Sequence, residues 1–205
     1  MAAVDFEMKQ LLKAYRKGLI SDDLFEQQMA EVKNGNGNGQ CYMYKGEMHA
    51  TEREMIMHLL DEARCAENFA AEFFNRWVEV SDQECVKGGI RMVQHRENYH
   101  AQILEARLRE LGGVPQCTVP QERRDKELPF YASAEKKDLE KLQSIASRLT
   151  DPAAALKPIT DVIAQIKDDQ QSKELLKSFV DDEMSSIKWL VEACATMSAA
   201  APQAA

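Results

Sequence analysis

Glu97 and His100 stand three residues apart in the stretch RENYHAQILEARLRELGG, residues 96–113, and this spacing puts both on one side of a helix. The apolar residues of the same helix recur at intervals of three and four, and their stripe passes through both polar positions. Its apolar members are positions 86, 90, 93, 104, 108 and 111. A carboxylate and an imidazole are therefore predicted to face the core, where polar groups need partners.

Two further carboxylates fill gaps in neighbouring apolar stripes. On the preceding helix the apolar positions are 56, 60, 63, 70, 74 and 77, and Glu67 fills the gap. On the last helix they are 176, 179 and 190, and Glu183 and Ser186 fill the gap. Counting back from the turn near Ser81 places Glu97 opposite residue 64, within one helical turn of Glu67. Three carboxylates and one imidazole are therefore predicted to share one seam.

A divalent metal ion explains this set of residues. Burying one isolated carboxylate costs several kcal/mol even after relaxation, and three together would be forced to take up protons. Carboxylate oxygens and an imidazole nitrogen are metal ligands, so a bound cation removes the cost. A lone Glu-x-x-His on a helix is usually solvated, but here Glu67 and Glu183 lie on matching seams. We predict a metal site formed by Glu67, Glu97, His100 and Glu183.

The elements that position these residues are long helices, so the predicted fold class is all-α. Helices are expected over about 51–79, 82–111 and 172–197, with Ser81 and Glu84 forming a capping box before the second. Gly112 and Gly113 end that helix. A third helix opens near residue 133, is interrupted at TDPAA, residues 150–154, and restarts at Pro152 after a cap by Thr150 or Asp151.

The connection between the second and third helices is long. Residues 112–132 contain three prolines and no helical period, which predicts an extended segment. Some twenty extended residues span on the order of 60 Å, more than the roughly 40 Å length of such a helix. We therefore expect the segment to cross the whole bundle, so that the third helix runs parallel to the second.

Four segments are predicted along the chain. Residues 1–33 are expected to form a helical hairpin, and residues 34–46, which include NGNGNG, a flexible linker. The helical bundle would occupy residues 47–197, and residues 198–205 would be a disordered tail.

The front hairpin, LLKAYRKGLISDDLFEQQMAEV over residues 11–32, resembles the small SHOCT-type module. The resemblance implies an oligomerisation or docking element. A mobile helical appendage explains the same pattern equally well.

Composition limits the classes of partner. A formal charge of −8 disfavours nucleic acid and anionic membranes. The five cysteines are dispersed without a CxxC pair, which favours reduced thiols. The start MAAVDFEMKQ has no apolar signal-peptide core, and no apolar run approaches the ~20 residues of a membrane helix. We expect a soluble cytoplasmic protein.

Three motifs resemble helices one, two and four of the ferritin-like superfamily, which includes rubrerythrins and bacterioferritins. They are CAENFAAEFF at 65–74, ENYHAQILEARLRELGG at 97–113 and DDEMSSIKWL at 181–190. The resemblance implies a four-helix bundle holding two irons, with a Glu on helices one and three and Glu-x-x-His on helices two and four. Glu67, Glu97, His100 and Glu183 match that pattern.

Two positions depart from the family pattern. Ser186 stands where the second histidine is expected, and the third helix offers leucine at 156 with Asp161 on the opposite face. Asp161 would need a rotated or kinked helix, and Asp182 would need to turn inward, to supply the lost ligand. His58 and His95 lie off the stripes and are expected at the surface or its boundary. The metal site is therefore predicted to be asymmetric.

Two functions remain open on these residues. The first is an iron-dependent oxidoreductase of oxidase, peroxidase or ferroxidase type, with one or two iron ions or manganese and with dioxygen or peroxide as oxidant. The second is a non-catalytic bundle with a decayed site that acts as a scaffold. In both cases we expect a homo-oligomer, with the front hairpin as one means of assembly.

Overall fold

The computed structural model describes residues 41–200 and, in the N-terminal segment, residues 11, 13–17, 20–22 and 24–26. Within 41–200 the chain is mainly helical, which confirms the all-α class at this level. A β-hairpin of β1 (Tyr42–Tyr44) and β2 (Glu47–His49) precedes the helices. The helices are α1 (Glu52–Val80), α2 (Glu84–Glu110), α3 (Gln121–Ala132), α4 (Asp138–Ala146), α5 (Pro152–Gln165) and α6 (Gln170–Ala200).

Helices α1 and α2 pack together along their length as an antiparallel pair. A capping box starts α1: the Thr51 hydroxyl accepts from the Glu54 N–H, and the Glu54 carboxylate accepts from the Thr51 N–H. Gly112 ends α2 as predicted, because its φ of +78° is one that glycine adopts readily. The Gly113 N–H then donates to the Leu108 carbonyl at 2.9 Å and closes the turn.

The turn between α1 and α2 differs from the predicted capping box. Gln83 occupies the N-cap position of α2. The Ser81 hydroxyl instead donates to Asp138 Oδ2 at 2.8 Å, and the Trp77 indole N–H donates to Asp138 Oδ1 at 2.6 Å. The Ser81 hydroxyl therefore bonds to a buried carboxylate on α4 instead of capping α2. The local S-x-x-E pattern does not reveal this tertiary contact.

The predicted extended connection is wrong in its second half, because α3 occupies residues 121–132. Ion pairs between residues four apart stabilise this helix, such as Arg123 with Glu127 at 3.1 Å. Tyr131 is fully buried and stacks on Phe73 of α1, with ring centroids 4.6 Å apart. A mainly polar segment with Pro129 inside it lacks an apolar stripe, so periodicity did not reveal this helix.

The break in the third helical segment is confirmed. Helices α4 and α5 are separate, and both pack against α6. Asp151 caps α5 by accepting from the Ala154 N–H at 3.0 Å, and Pro152 occupies the first helical turn.

One end of the fold aligns α1, α2 and α6. The Glu52 carboxylate accepts from the backbone N–H groups of Lys167, Asp168 and Asp169 at the α5–α6 turn. Arg107, near the end of α2, donates to both carboxylate oxygens of Asp169 at 2.8 and 2.9 Å. The starts of α1 and α6 therefore lie together, beside the end of α2.

Two apolar clusters divide the interior along the helices. The first contains Tyr44, Met55, Ile56, Leu59, Leu60, Ala63, Leu104, Leu108, Val162, Ile166, Leu176 and Phe179. The second contains Phe69, Phe73, Phe74, Trp77, Val78, Val86, Ile90, Val93, Tyr131, Leu142, Ile145 and Leu190. On each of α1, α2 and α6, the candidate ligands lie in the chain between a residue of one cluster and a residue of the other.

The predicted segment boundaries change at three places. Residues 42–46 of the predicted 34–46 linker form β1 and a turn. Residues 198–200 of the predicted tail continue α6, while 201–205 lie outside the described residues. In the front segment, residues 13–16 and 24–26 are helical and Tyr15 stacks on Phe25 at 4.3 Å; the remainder of 1–33 lies outside the description.

None of the helices in the described part of the chain combines the length and apolar character that crossing a membrane requires.

Candidate metal centre

The four residues predicted from the stripes meet in one cluster. Glu67, Glu97, His100 and Glu183 each offer one ligand atom, and these atoms all lie within 4.8 Å of one another. Glu67 is on α1, Glu97 and His100 are on α2, and Glu183 is on α6. The first three are buried, and the Glu183 side chain is 14% exposed.

The positions of Glu67 and Glu183 along the helix axes follow from the end of the fold at which α1 and α6 both begin. Glu67 lies fifteen residues after Glu52, and Glu183 lies fourteen residues after Asp169. Because Glu52 accepts from the Asp169 N–H at 2.8 Å, both helices start from nearly the same level. A rise of about 1.5 Å per residue then brings the two carboxylates to the same height.

His100 is the centre of the contacts in this cluster. Its Nδ1 lies 3.3 Å from Glu67 Oε2 and 3.2 Å from Glu183 Oε1. Its Nε2 lies 3.3 Å from Asp182 Oδ2, and Phe179 packs edge-on against the ring at 4.9 Å. Nδ1 therefore faces the interior carboxylates, while Nε2 is occupied by a carboxylate nearer the surface.

Burial perturbs the acid–base properties of the cluster. It raises the pKa of Glu67 to about 8, with a hydrogen bond to Glu97 acting against the rise and the charge of Glu183 adding to it. Burial, the charge of Glu67 and their shared hydrogen bond raise the pKa of Glu97 well above its ordinary range. Without a cation, Glu67 and Glu97 therefore retain a proton between them at neutral pH.

The pKa of His100 is raised as well, but for an imidazole a raised pKa means that the charged form is favoured. Burial disfavours the protonated form of His100, but contacts with the Glu183 and Asp182 carboxylates outweigh burial and raise its pKa. The site thus favours positive charge at its centre, because several carboxylates converge there.

A bound cation fits the donor set. The Oε1 atom of Glu183 is buried and has no hydrogen-bond partner among the described residues, and it lies 3.2 Å from His100 Nδ1. A buried carboxylate oxygen without a partner is costly, and metal coordination is one way to satisfy it. Three carboxylates and one imidazole are ligands suited to iron, manganese or zinc.

The side of the cluster near Ser186 carries a positive charge instead of a ligand. Ser186 is buried, and Arg96 donates to its hydroxyl at 2.9 Å and to the Asp182 carbonyl at 3.0 Å. A guanidinium at this place disfavours a second cation nearby. The asymmetry expected from Ser186 therefore has a structural counterpart in Arg96.

The third helical segment contributes nothing to the cluster among the described residues. Leu156 is buried, and Asp161 lies on the surface, where it forms an ion pair with Lys157 at 2.6 Å. Recruitment of Asp161 through a rotated or kinked helix is thus contradicted. Pro158 lies within α5, yet Asp161 still points to solvent.

No protein-family model, curated protein or solved structure matches this chain.

Two residues around the site were not assigned these positions from the sequence. The sequence offers Asp182 as an inward ligand, but its half-exposed side chain lies behind His100. The apolar stripes assign Arg96 no role. Both stand directly beside stripe residues, Asp182 next to Glu183 and Arg96 next to Glu97, so a search for charged neighbours of the inward positions would have found them.

Proposed function

We propose that this chain is a ferritin-like metalloprotein that binds iron through Glu67, Glu97, His100 and Glu183 and reacts with dioxygen or peroxide. The observation that carries the proposal is the convergence of these four donors, from three helices, in a buried layer between two apolar clusters. Manganese is compatible with the same oxygen-rich donor set.

Each residue has a defined role in this proposal. The three carboxylates bind the ion with their oxygens, and His100 binds through Nδ1, the nitrogen that faces Glu67 and Glu183. Asp182 accepts from His100 Nε2–H, which holds the ring in the orientation and tautomer that ligation needs. Bound ferrous iron would supply one electron per ion, and an external one-electron reductant would supply the second electron that reduction of peroxide to water requires.

The surroundings favour a small oxidant. Two apolar clusters close the site along the helix axes, so bulk water is excluded from both directions. The more open side is at Asp182, whose side chain is 50% exposed, next to Glu183 at 14%. An opening of this kind suits dioxygen or hydrogen peroxide better than a bulky organic substrate.

One firmly held ion is the expected occupancy. Arg96 and Ser186 take the place of a second histidine, and the third helical segment supplies no ligand among the described residues. This arrangement also supports the second candidate function, a bundle that keeps a metal for structure alone and serves as a scaffold. Homo-oligomerisation through the front hairpin is part of both proposals.

A metal-binding and reactivity experiment separates these functions. The purified chain is titrated anaerobically with ferrous iron, and bound metal is measured after gel filtration. We expect about one tightly bound iron per chain and at least about a tenfold loss of occupancy for the double variant Glu97→Ala/His100→Ala. The matched control is Glu84→Ala/His95→Ala, which removes an exposed pair of the same residue types from α2.

The loaded protein is then mixed with hydrogen peroxide, and oxidation of the bound ferrous iron is followed optically. Faster oxidation than in an equal concentration of free ferrous iron supports the oxidoreductase. Tight iron binding without faster oxidation supports the structural role. Iron occupancy equal in the wild type and the Glu97→Ala/His100→Ala variant would overturn the site itself.

A further inference from the structure

A second group of metal-ligand side chains lies where the β-hairpin packs on α1. Glu47, His49 and His58 each offer one atom, and these atoms lie within 4.8 Å of one another. His58 precedes Glu67 on α1 by nine residues, so the two clusters are separated by about 14 Å along that helix. The groups are therefore distinct sites.

The hairpin presents its two ligands on one face. Glu47 and His49 lie two residues apart in β2, and side chains at this spacing in a strand point to the same side. They stand opposite Tyr44 and Tyr42 in the register of the sheet, and Tyr44 is buried against α1. The turn between the strands has φ of +48° at Lys45 and +82° at Gly46, a tight two-residue connection that keeps this register.

The distances within this group match the edges of a tetrahedral site. Nδ1 of His58 lies 3.3 Å from Nε2 of His49 and 3.7 Å from Oε2 of Glu47. Zinc bonds to nitrogen and oxygen of about 2.0–2.1 Å imply ligand-to-ligand separations of about 3.3 Å in a tetrahedron. Small side-chain rotations at an exposed Glu47 would bring its oxygen to that separation, because the side chain is 71% exposed.

A carboxylate behind His58 favours the tautomer that carries its proton on Nε2 and leaves Nδ1 toward the group. Oε1 of Glu62 lies 3.5 Å from His58 Nε2. Glu62 is itself held by the Lys45 ammonium at 2.6 Å and the Tyr44 hydroxyl at 2.9 Å, both to Oε2. With Nε2–H directed at Glu62, the Nδ1 lone pair of His58 points toward His49 and Glu47, as in metal-binding histidines oriented by a carboxylate.

We propose that Glu47, His49 and His58 bind one divalent transition-metal ion, with zinc as the best-suited ion, and that this ion fastens the hairpin to α1. Two imidazoles and one carboxylate form a donor set typical of zinc with a fourth, open position for water. Without a cation, the two imidazoles share a hydrogen bond at 3.3 Å and water solvates the exposed Glu47 carboxylate. With a cation, all three side chains become ligands.

Zinc titration of the full chain, read through the histidine side chains, tests this site. The sequence has four histidines, so each ring can be assigned in a nitrogen–proton correlation spectrum. Because the interior cluster also suits zinc, we expect about two equivalents to bind in all, and filling of the hairpin site to shift the ring nitrogens of His49 and His58 while His95 stays unchanged. Unmoved His49 and His58 resonances at saturating zinc would overturn the proposal.

Affinity measurements give a second readout that is independent of the interior cluster. In the Glu97→Ala/His100→Ala background, zinc affinity is expected to fall at least about a hundredfold on His49→Ala or His58→Ala, and about tenfold on Glu62→Gln. His95→Ala is the matched control. Equal zinc affinity in all these variants would contradict the zinc site. The contact between His49 and His58 would then be a hydrogen bond between two imidazoles and nothing more.

The two sites can fail separately. If the interior double variant does not fold, the histidine spectrum of the wild-type chain still decides the hairpin site. If the chain binds no iron but zinc still shifts the His49 and His58 resonances, the proposed function is wrong and the hairpin zinc site stands.

Discussion

The interior cluster and the hairpin cluster use the same chemical groups in different surroundings. In both, one ring nitrogen of a histidine faces the other donors while its second nitrogen faces a carboxylate, Asp182 behind His100 and Glu62 behind His58. The interior imidazole is 1% exposed, whereas the His58 imidazole is 28% exposed. Water can therefore solvate the hairpin cluster when it is empty, but the interior cluster needs a proton or a metal ion.

Burial, more than residue type, sets the energetic consequence of such a cluster. The interior carboxylates have raised pKa values because burial penalises their charge. Near the hairpin cluster, Lys45 and Tyr44 lower the pKa of Glu62 despite the opposing effect of its partial burial. Four predictions test how far this contrast extends.

The largest expected effect comes from the apolar wall of the interior cluster. Phe179→Ala removes a ring that is 2% exposed and packs edge-on against His100. We expect the free energy of unfolding to fall by about 3–5 kcal/mol, since a large buried aromatic leaves a cavity. Urea denaturation of the metal-free chain measures it, and a loss below about 1 kcal/mol would contradict the described packing.

The second prediction concerns the pH dependence of the metal-free chain. A carboxyl with a raised folded-state pKa contributes stability that is complete below its unfolded pKa and is lost as the pH rises through its folded value. For Glu67 this window runs from 4.5 to about 8, and the raised pKa of His100 acts in the same direction above 6.5. Stability with chelator present should fall by on the order of a few kcal/mol between the ends of this window.

Glu67→Gln is the variant that tests this explanation. Its neutral amide should flatten the decline, making the variant more stable than the wild type at pH 8.5 and nearly equal at pH 4.5. The control is Glu47→Gln in the exposed cluster, which should leave the slope unchanged. A wild-type unfolding free energy that rises from pH 5 to 8 in metal-free buffer contradicts the buried-proton account.

The third prediction compares the carboxylates behind the two histidines. Asp182→Asn keeps the shape of a half-exposed side chain but weakens its ability to orient His100, so iron affinity should drop about tenfold. Unfolding of the metal-free chain should change by less than about 1 kcal/mol. Anaerobic iron titration measures the first quantity and urea denaturation the second. Unchanged iron affinity would mean that Asp182 does not orient His100.

The smallest expected effect lies on the third helical segment. Asp161→Asn breaks an exposed ion pair with Lys157, whose contribution is at most about 0.5 kcal/mol. Iron stoichiometry and affinity should stay at wild-type values, because Asp161 is on the surface. A loss of iron in this variant would show that α5 supplies a ligand after rearrangement, and a ligand set drawn from α1, α2 and α6 alone would be wrong.

The interior candidates could be found from the sequence because a long helix imposes its own periodicity. Once Glu67, Glu97, His100 and Glu183 are on the apolar stripes, any packing that buries those stripes turns the four residues inward. The short turn near Ser81 then sets the heights of Glu67 and Glu97. These are local constraints, and the structure brings all four residues together.

Other features depended on contacts between distant segments. The Ser81 hydroxyl bonds to Asp138 rather than to the start of α2, and Tyr131 secures a helix in a segment with no apolar stripe. His58 was expected at the surface or its boundary, and its half-buried position agrees with that. Its contacts with His49 and Glu47 depend on a short hairpin folding back on α1.

The sequence alone thus determined the helical class, the end of α2 at Gly112, the restart of the third segment at Pro152, and the inward direction of the four interior residues, because capping and periodicity act within a few residues. Tertiary structure decided which nitrogen of His100 faces the carboxylates, where Arg96 and Asp182 lie, and that the hairpin brings His49 to His58. Those outcomes depend on side-chain rotamers and on packing between segments far apart in the chain, which no local pattern specifies.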